Sequence, residues 1–148
     1  MSTMRKRLFR NERGAALLET AITLPIILLV SVAIFEFGRA FQTWQVLTNA
    51  AREGARVAVL SGTTSEQVRT AVQDYAAIGG LTVTDAQIAV NRNTPLGASG
   101  EWTGSEITIS YPFQFMVIGG VAKLVAAGST LGDALTMTAV ATMRNESL

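Results

Sequence analysis

From Ala15 to Phe35 apolar residues run almost without a break, AALLETAITLPIILLVSVAIF, 21 residues with one charge, Glu19. At about 1.5 Å per residue, a helix of that length crosses the ~30 Å hydrocarbon core of a bilayer. Beyond Phe35 the pattern becomes one-sided. Leu47, Ala50, Ala51, Gly54, Ala55 and Ala58 form a stripe of mainly small residues, which lets another backbone approach closely. The chain's own sheet is the expected neighbour there, and Arg52, Glu53 and Arg56 fit a solvated face. Ser61-Gly62 ends the pattern, so one helix is predicted over about Ala15–Leu60. Glu36 and Arg39, spaced i,i+3, are expected to pair at the outer membrane–water boundary. Phe37, Phe41 and Trp44 share a helical face, as an interfacial aromatic belt or as packing against the outer domain.

A second helix follows. Thr63 with Glu66 and Thr64 with Gln67 both fit a capping box. Val68, Ala71, Val72, Tyr75 and Ala76 then recur at helical spacing, and Gly79-Gly80 stops the run. The remainder reads as strands: Ile88 and Val90 in a short one, Ile107, Ile109 and Tyr111 up to Pro112, and Leu135–Met143 with threonines alternating. Asn91–Gly104 is polar, with Pro95 and three glycines, and reads as a turn region. Phe113–Ala127, 15 apolar residues interrupted by Gln114 and Lys123, is short for a span and is expected as a buried helix or loop-helix. Nothing in the pattern separates a second soluble domain.

Composition narrows the function. Charged residues are 16% and apolar ones 49%, which excludes disorder and suits a chain partly embedded in lipid. There is no cysteine and no histidine, so thiolate metal sites, disulfides and Ser-His or Cys-His catalysis are absent. The only lysines are Lys6 and Lys123, and no glycine-rich loop precedes a lysine-bearing helix. No enzyme activity, cofactor, metal or small-molecule substrate is expected.

The charge is uneven. Met1–Gly14 holds five bases and one acid, Glu12, a net +4, while Ala15–Leu148 holds seven bases and ten acids, a net −3. A basic tip before an apolar run points to membrane targeting, and no basic stripe with interleaved aromatics suggests nucleic acid. The positive-inside rule keeps Arg5–Arg13 cytoplasmic and places the C-terminal part outside. Pro25 would break a soluble helix but is tolerated in lipid as a kink. An ordinary signal anchor and a secretory signal cut after Gly38-Arg39-Ala40 remain alternatives. Intact mass separates them from loss of Met1–Gly14.

Glu19 is the residue that an ordinary anchor does not explain. A carboxylate within a membrane helix costs roughly 2.5–3.5 kcal/mol at the bilayer centre, less near a face, where it can snorkel to the headgroups. Its spacing offers another account. A cut after Gly14 would make Ala15 the first residue and Glu19 the fifth. A new α-amino group on one subunit could then neutralise the glutamate of its neighbour, making an otherwise costly acid a register device. Basic leader, glycine, apolar helix and glutamate at the fifth position together form the type IV prepilin signal.

The stretch Glu12-Arg13-Gly14-Ala15-Ala16-Leu17-Leu18-Glu19, with Leu24-Pro25, Glu36-Phe37-Gly38-Arg39 and Thr48-Asn49-Ala50-Ala51-Arg52-Glu53-Gly54-Ala55-Arg56, resembles the TadE-like proteins, pseudopilins of the tight-adherence (Flp) pilus machinery. Thr142-Met143-Arg144-Asn145-Glu146 is also family-like. Flp-type pilins usually carry a tyrosine after the glutamate; Thr20 here sets the chain apart from a major pilin. The resemblance implies cleavage between Gly14 and Ala15 by a prepilin peptidase, and a role in pilus assembly. Implied partners are pilin and pseudopilin subunits and an inner-membrane assembly platform.

The expectation is therefore an α+β, pilin-like protein. Residues 1–14 form a cytoplasmic basic leader, 15–35 a transmembrane helix, and 36–148 an extracytoplasmic domain with a three-stranded antiparallel sheet. It would be single-pass in the cytoplasmic (inner) membrane. An exported, signal-anchored binding module unrelated to pili is the competing reading.

Overall fold

The computed structural model describes residues 12–97, 100, 102–120 and 133–145. Most of the basic leader, Lys123 and the end of the apolar stretch at Ala127 lie outside that set. Five main elements are present: α1 (Glu12–Ala58), α2 (Ser65–Ile78), β1 (Ile88–Leu96), β2 (Trp102–Phe113) and β3 (Leu135–Arg144). A short 3₁₀ turn, Asp85–Gln87, leads into β1.

The residues divide into two units, Met1–Phe35 and Glu36–Leu148, with α1 contributing to both. In the first, α1 is exposed around its whole circumference from Ala15 to Ser31. Leu17, Leu18, Ile22 and Leu28 keep more than half of their surface open. Pro25 lies inside continuous helix, where it leaves the carbonyl four residues back without its usual donor.

In the second unit the same helix buries a stripe: Glu36, Ala40, Thr43, Leu47, Ala50, Ala51, Ala55 and Ala58. The small residues let the helix approach the sheet closely. A Cβ at Gly54 would collide with Val72 Cγ2 and stand 3.4 Å from Ile107 Cγ2, so α1, α2 and β2 meet at this point. The core consists of the stripe together with Val68, Val72 and Ala76 of α2 and Ile88, Ile107, Ile109 and Ala139 of the sheet. Ala71 is half-buried and Tyr75 lies largely outside, so the buried face of α2 is narrower than its spacing suggests. Arg56 pairs with Glu53 on the exposed side, as expected of a solvated face.

α2 is capped at both ends. Of the two candidate boxes, Thr64 and Gln67 form the real one: Gln67 N–H donates to Thr64 Oγ1 at 3.2 Å, and Thr64 N–H donates to Gln67 Oε1 at 2.9 Å. At the other end Gly80 takes φ +77°, while Leu81 N–H donates to Ala76 O and Gly80 N–H to Ala77 O, both at 2.9 Å. This is the left-handed stop that glycine permits.

The sheet is three-stranded and antiparallel in the order β1-β2-β3. Its strands are longer than alternation alone marks. β1 continues to Leu96, so much of Asn91–Gly104 is paired strand and the turn is confined to residues 97–101. An extra residue on β1 between Asn91 and Thr94 restores the pairing. Pro95 is accommodated because β1 is an edge strand. β2 runs past Pro112 to Phe113, which is therefore strand and not the start of a helix; β1 ends opposite Ile109, leaving β2 only one neighbour at Pro112. The helical turn begins later, at residues 118–120.

Candidate assembly site on the N-terminal helix

Gly14, Ala15, Glu19 and Pro25 all lie on the exposed part of α1. The Gly14–Ala15 peptide bond is in helical backbone, with Gly14 half-buried and Ala15 exposed. Glu19 lies one turn further on, facing the same side as Ala15. Around it Ala16, Thr20, Thr23, Leu24 and Ile27 line a shallow, open groove along one helix face. Thr20 Oγ1 is turned back onto its own helix, donating to Ala16 O at 2.9 Å, and Ser31 does the same to Ile27 O at 2.8 Å. Both hydroxyls are thereby satisfied within apolar surroundings. The Glu19 carboxylate has no ion-pair partner among the described residues, so the groove presents one acid within an apolar face.

A second polar cluster lies at the start of the folded unit. Glu36 is fully buried. Its Oε1 accepts from Val117 N–H at 2.6 Å and its Oε2 from Arg39 Nη2 at 3.2 Å. The same Nη2 donates to Gln114 O, and the guanidinium lies 4.5 Å over the Phe113 ring. The Val117 N–H, and next the Arg39 guanidinium, hold the Glu36 carboxyl below its ordinary pKa against the opposing effect of burial. The expected pair is therefore present, but it is also the anchor for residues 114–117. Nothing local in the sequence signals this, because the bond spans 81 positions.

The aromatic face behaves as a belt and not as core: Phe37, Phe41 and Trp44 are 64%, 59% and 46% exposed. Phe37 meets Phe115 edge-on at 6.1 Å, and Phe115 meets Phe113 at 5.2 Å.

At the far end of the sheet, Asn145 ties all three strands. Its Nδ2 donates to Arg92 O at 3.0 Å, its N–H to Thr103 O at 3.0 Å, and its Oδ1 accepts from the buried Ser105 hydroxyl at 2.7 Å. This gives Asn145 of the family-like tail a structural task. Nearby, the Arg144 guanidinium stacks 3.6 Å from the Trp102 ring centre.

Residues 14–56 match the family model described as TadE-like protein. The match falls wholly within α1; the sheet and α2 lie outside it. No curated protein and no solved structure matches the chain. The match implies a Tad pilus-associated protein, from a family of pilus structural type. One helix among the described residues, Gly14–Ala58, is long and apolar enough to cross a membrane, and it fits a single-pass anchor.

Proposed function

We propose, from the TadE-like match over residues 14–56, that the chain is a pseudopilin. In this reading it is cut after Gly14 and assembles with pilin-type subunits through its N-terminal helix. The observation that carries the proposal is Glu19: an acid without an ion-pair partner among the described residues, in an apolar groove, at the fifth position after Gly14.

Cutting the Gly14–Ala15 bond creates an ammonium group on Ala15. Within one chain that group and Glu19 are a helical turn apart. Between chains, the ammonium of one subunit meets the carboxylate of the next and sets the axial register of the two helices. In lipid such a pair is far less screened than in water, so a mismatched register leaves both charges unpaired. Gly14 suits the cut chemically. It has no side chain beside the scissile bond, and it weakens helix by about 1 kcal/mol relative to alanine, easing the local unwinding a peptidase needs. The basic residues before it hold that end in the cytoplasm, where the assembly platform would act, and the folded unit from Glu36 lies outside.

The test uses membranes expressing the full chain with its pilin partners. Intact mass should show loss of Met1–Gly14. Glu19→Ala should insert and be cut normally, since the scissile bond is five residues away, yet co-purify poorly with the partners. Breaking one side of a poorly solvated ion pair costs about 3 kcal/mol or more, over a hundredfold in association. Wild-type recovery of the Glu19→Ala protein, or retention of the leader by the native chain, would sink the reading.

A further inference from the structure

The two edges of the sheet are not alike. β1 carries Pro95 and an extra residue between Asn91 and Thr94 that shifts its register with β2. Both features discourage another strand from adding there. β3 has neither. It pairs with β2 through ten consecutive residues, from Leu135↔Phe113 to Arg144↔Gly104, and among the described residues no strand lies on its other side. Its inner-face residues Met137, Ala141 and Met143 are only half-buried, and Val140 on the outer face is 52% exposed.

β3 also reads the same in both directions. Residues 137–143 are Met-Thr-Ala-Val-Ala-Thr-Met, symmetric about Val140. A twofold axis at Val140 sets this strand antiparallel to a second copy of itself. Val140 then faces the partner's Val140, Thr138 the partner's Thr142, Ala139 the partner's Ala141 and Met137 the partner's Met143. A twofold interface demands a patch complementary to itself, and here the demand is met residue by residue. Parity is preserved as well: the methionines and alanines of both copies fall on the core side, the threonines and valine on the other. No residue of the seven is charged, so like charges do not meet across the axis.

We infer that β3 is a homodimer edge: two copies of this chain join β3 to β3 antiparallel about Val140, making one six-stranded sheet. The unpaired backbone groups of the edge supply the bonds, and the symmetric sequence sets the register. The inference stands on the sheet alone and is independent of Gly14 and Glu19.

The native chain has no cysteine, so single cysteines report the register directly. Residues directly opposite in an antiparallel pair have Cα atoms about 4.5–5.5 Å apart, within disulfide reach. Four residues along a strand is about 13 Å, which is not. In membranes holding the full chain, mild oxidation should convert Val140→Cys to a disulfide dimer. Thr138→Cys alone should stay monomeric, while a mixture of Thr138→Cys and Thr142→Cys chains should crosslink to each other. Val140→Lys, at an exposed site the fold tolerates, brings two ammonium groups face to face and should lower that mixed crosslink at least tenfold. A monomeric Val140→Cys, self-crosslinking of Thr138→Cys, or a mixed crosslink unmoved by Val140→Lys would each overturn the inference.

Discussion

Glu36 Oε1 accepts a hydrogen bond from the backbone N–H of Val117 at 2.6 Å, across 81 positions of chain. That bond fastens the segment after β2 to the helix at the first residue of the folded unit. Arg39 completes it by bridging Glu36 and the Gln114 carbonyl.

Replacing Glu36 tests this directly. Glu36→Ala removes the acceptor for Val117 N–H and one partner of Arg39, and should lower the thermal midpoint and speed amide exchange at Val117. Glu36→Gln keeps a neutral acceptor and should fall between Ala and wild type. Equal midpoints for all three proteins would dismiss the bond as a stabilising contact.

The pH dependence follows from the same contacts. The folded-state pKa of Glu36 is lowered from 4.5, chiefly by the Val117 N–H. A depressed carboxyl binds its proton more weakly folded than unfolded. Its contribution to stability is thus full above about the unfolded value and is lost as pH falls through the lower folded value. Glu53, held low chiefly by its hydrogen bond from Arg56, titrates in the same direction. The quantity to measure is therefore the difference between wild type and Glu36→Gln in unfolding from pH 6 to pH 3: the gap should narrow on acidification.

Gly54→Val should destabilise the folded unit by about 1–3 kcal/mol through overpacking. The added side chain meets Val72 and Ile107 where α1, α2 and β2 converge. Denaturant unfolding of the full chain in detergent would show it as a lower midpoint with an unchanged slope.

Asn145→Ala should cost about 1–3 kcal/mol, because the Arg92 carbonyl and the buried Ser105 hydroxyl both lose a partner. Asn145→Asp should restore an acceptor for Ser105 but not the donor to Arg92 O. A midpoint between those of wild type and Asn145→Ala is expected, read by thermal unfolding.

Gly14→Leu should leave the leader attached, since a bulky side chain beside the scissile bond obstructs a peptidase and favours helix there. Insertion and orientation should not change, because Arg5–Arg13 remain. Mass spectrometry of the membrane protein reads the outcome; continued loss of the first 14 residues would remove any special role for Gly14.

The elements whose burial repeats with a local period were legible in the sequence. The apolar run from Ala15, the small-residue stripe to Ala58, the capped α2, and the alternations at Ile107–Tyr111 and Leu135–Met143 are all found as read. So was the position of Glu19, since helix geometry alone sets its distance from Ala15. Pairing between distant segments was not legible. Polar residues 91–96 became strand because β2 lies beside them and a bulge absorbs the mismatch. Glu36 became a buried anchor only because Val117 is brought to it, and Asn145 became a three-strand tie only because Arg92, Thr103 and Ser105 converge there. Periodicity records that one face of an element leaves water; it carries no label for what meets that face. Hydrogen bonds between segments depend on topology, so the tertiary structure alone decided which polar residues of this chain hold it together.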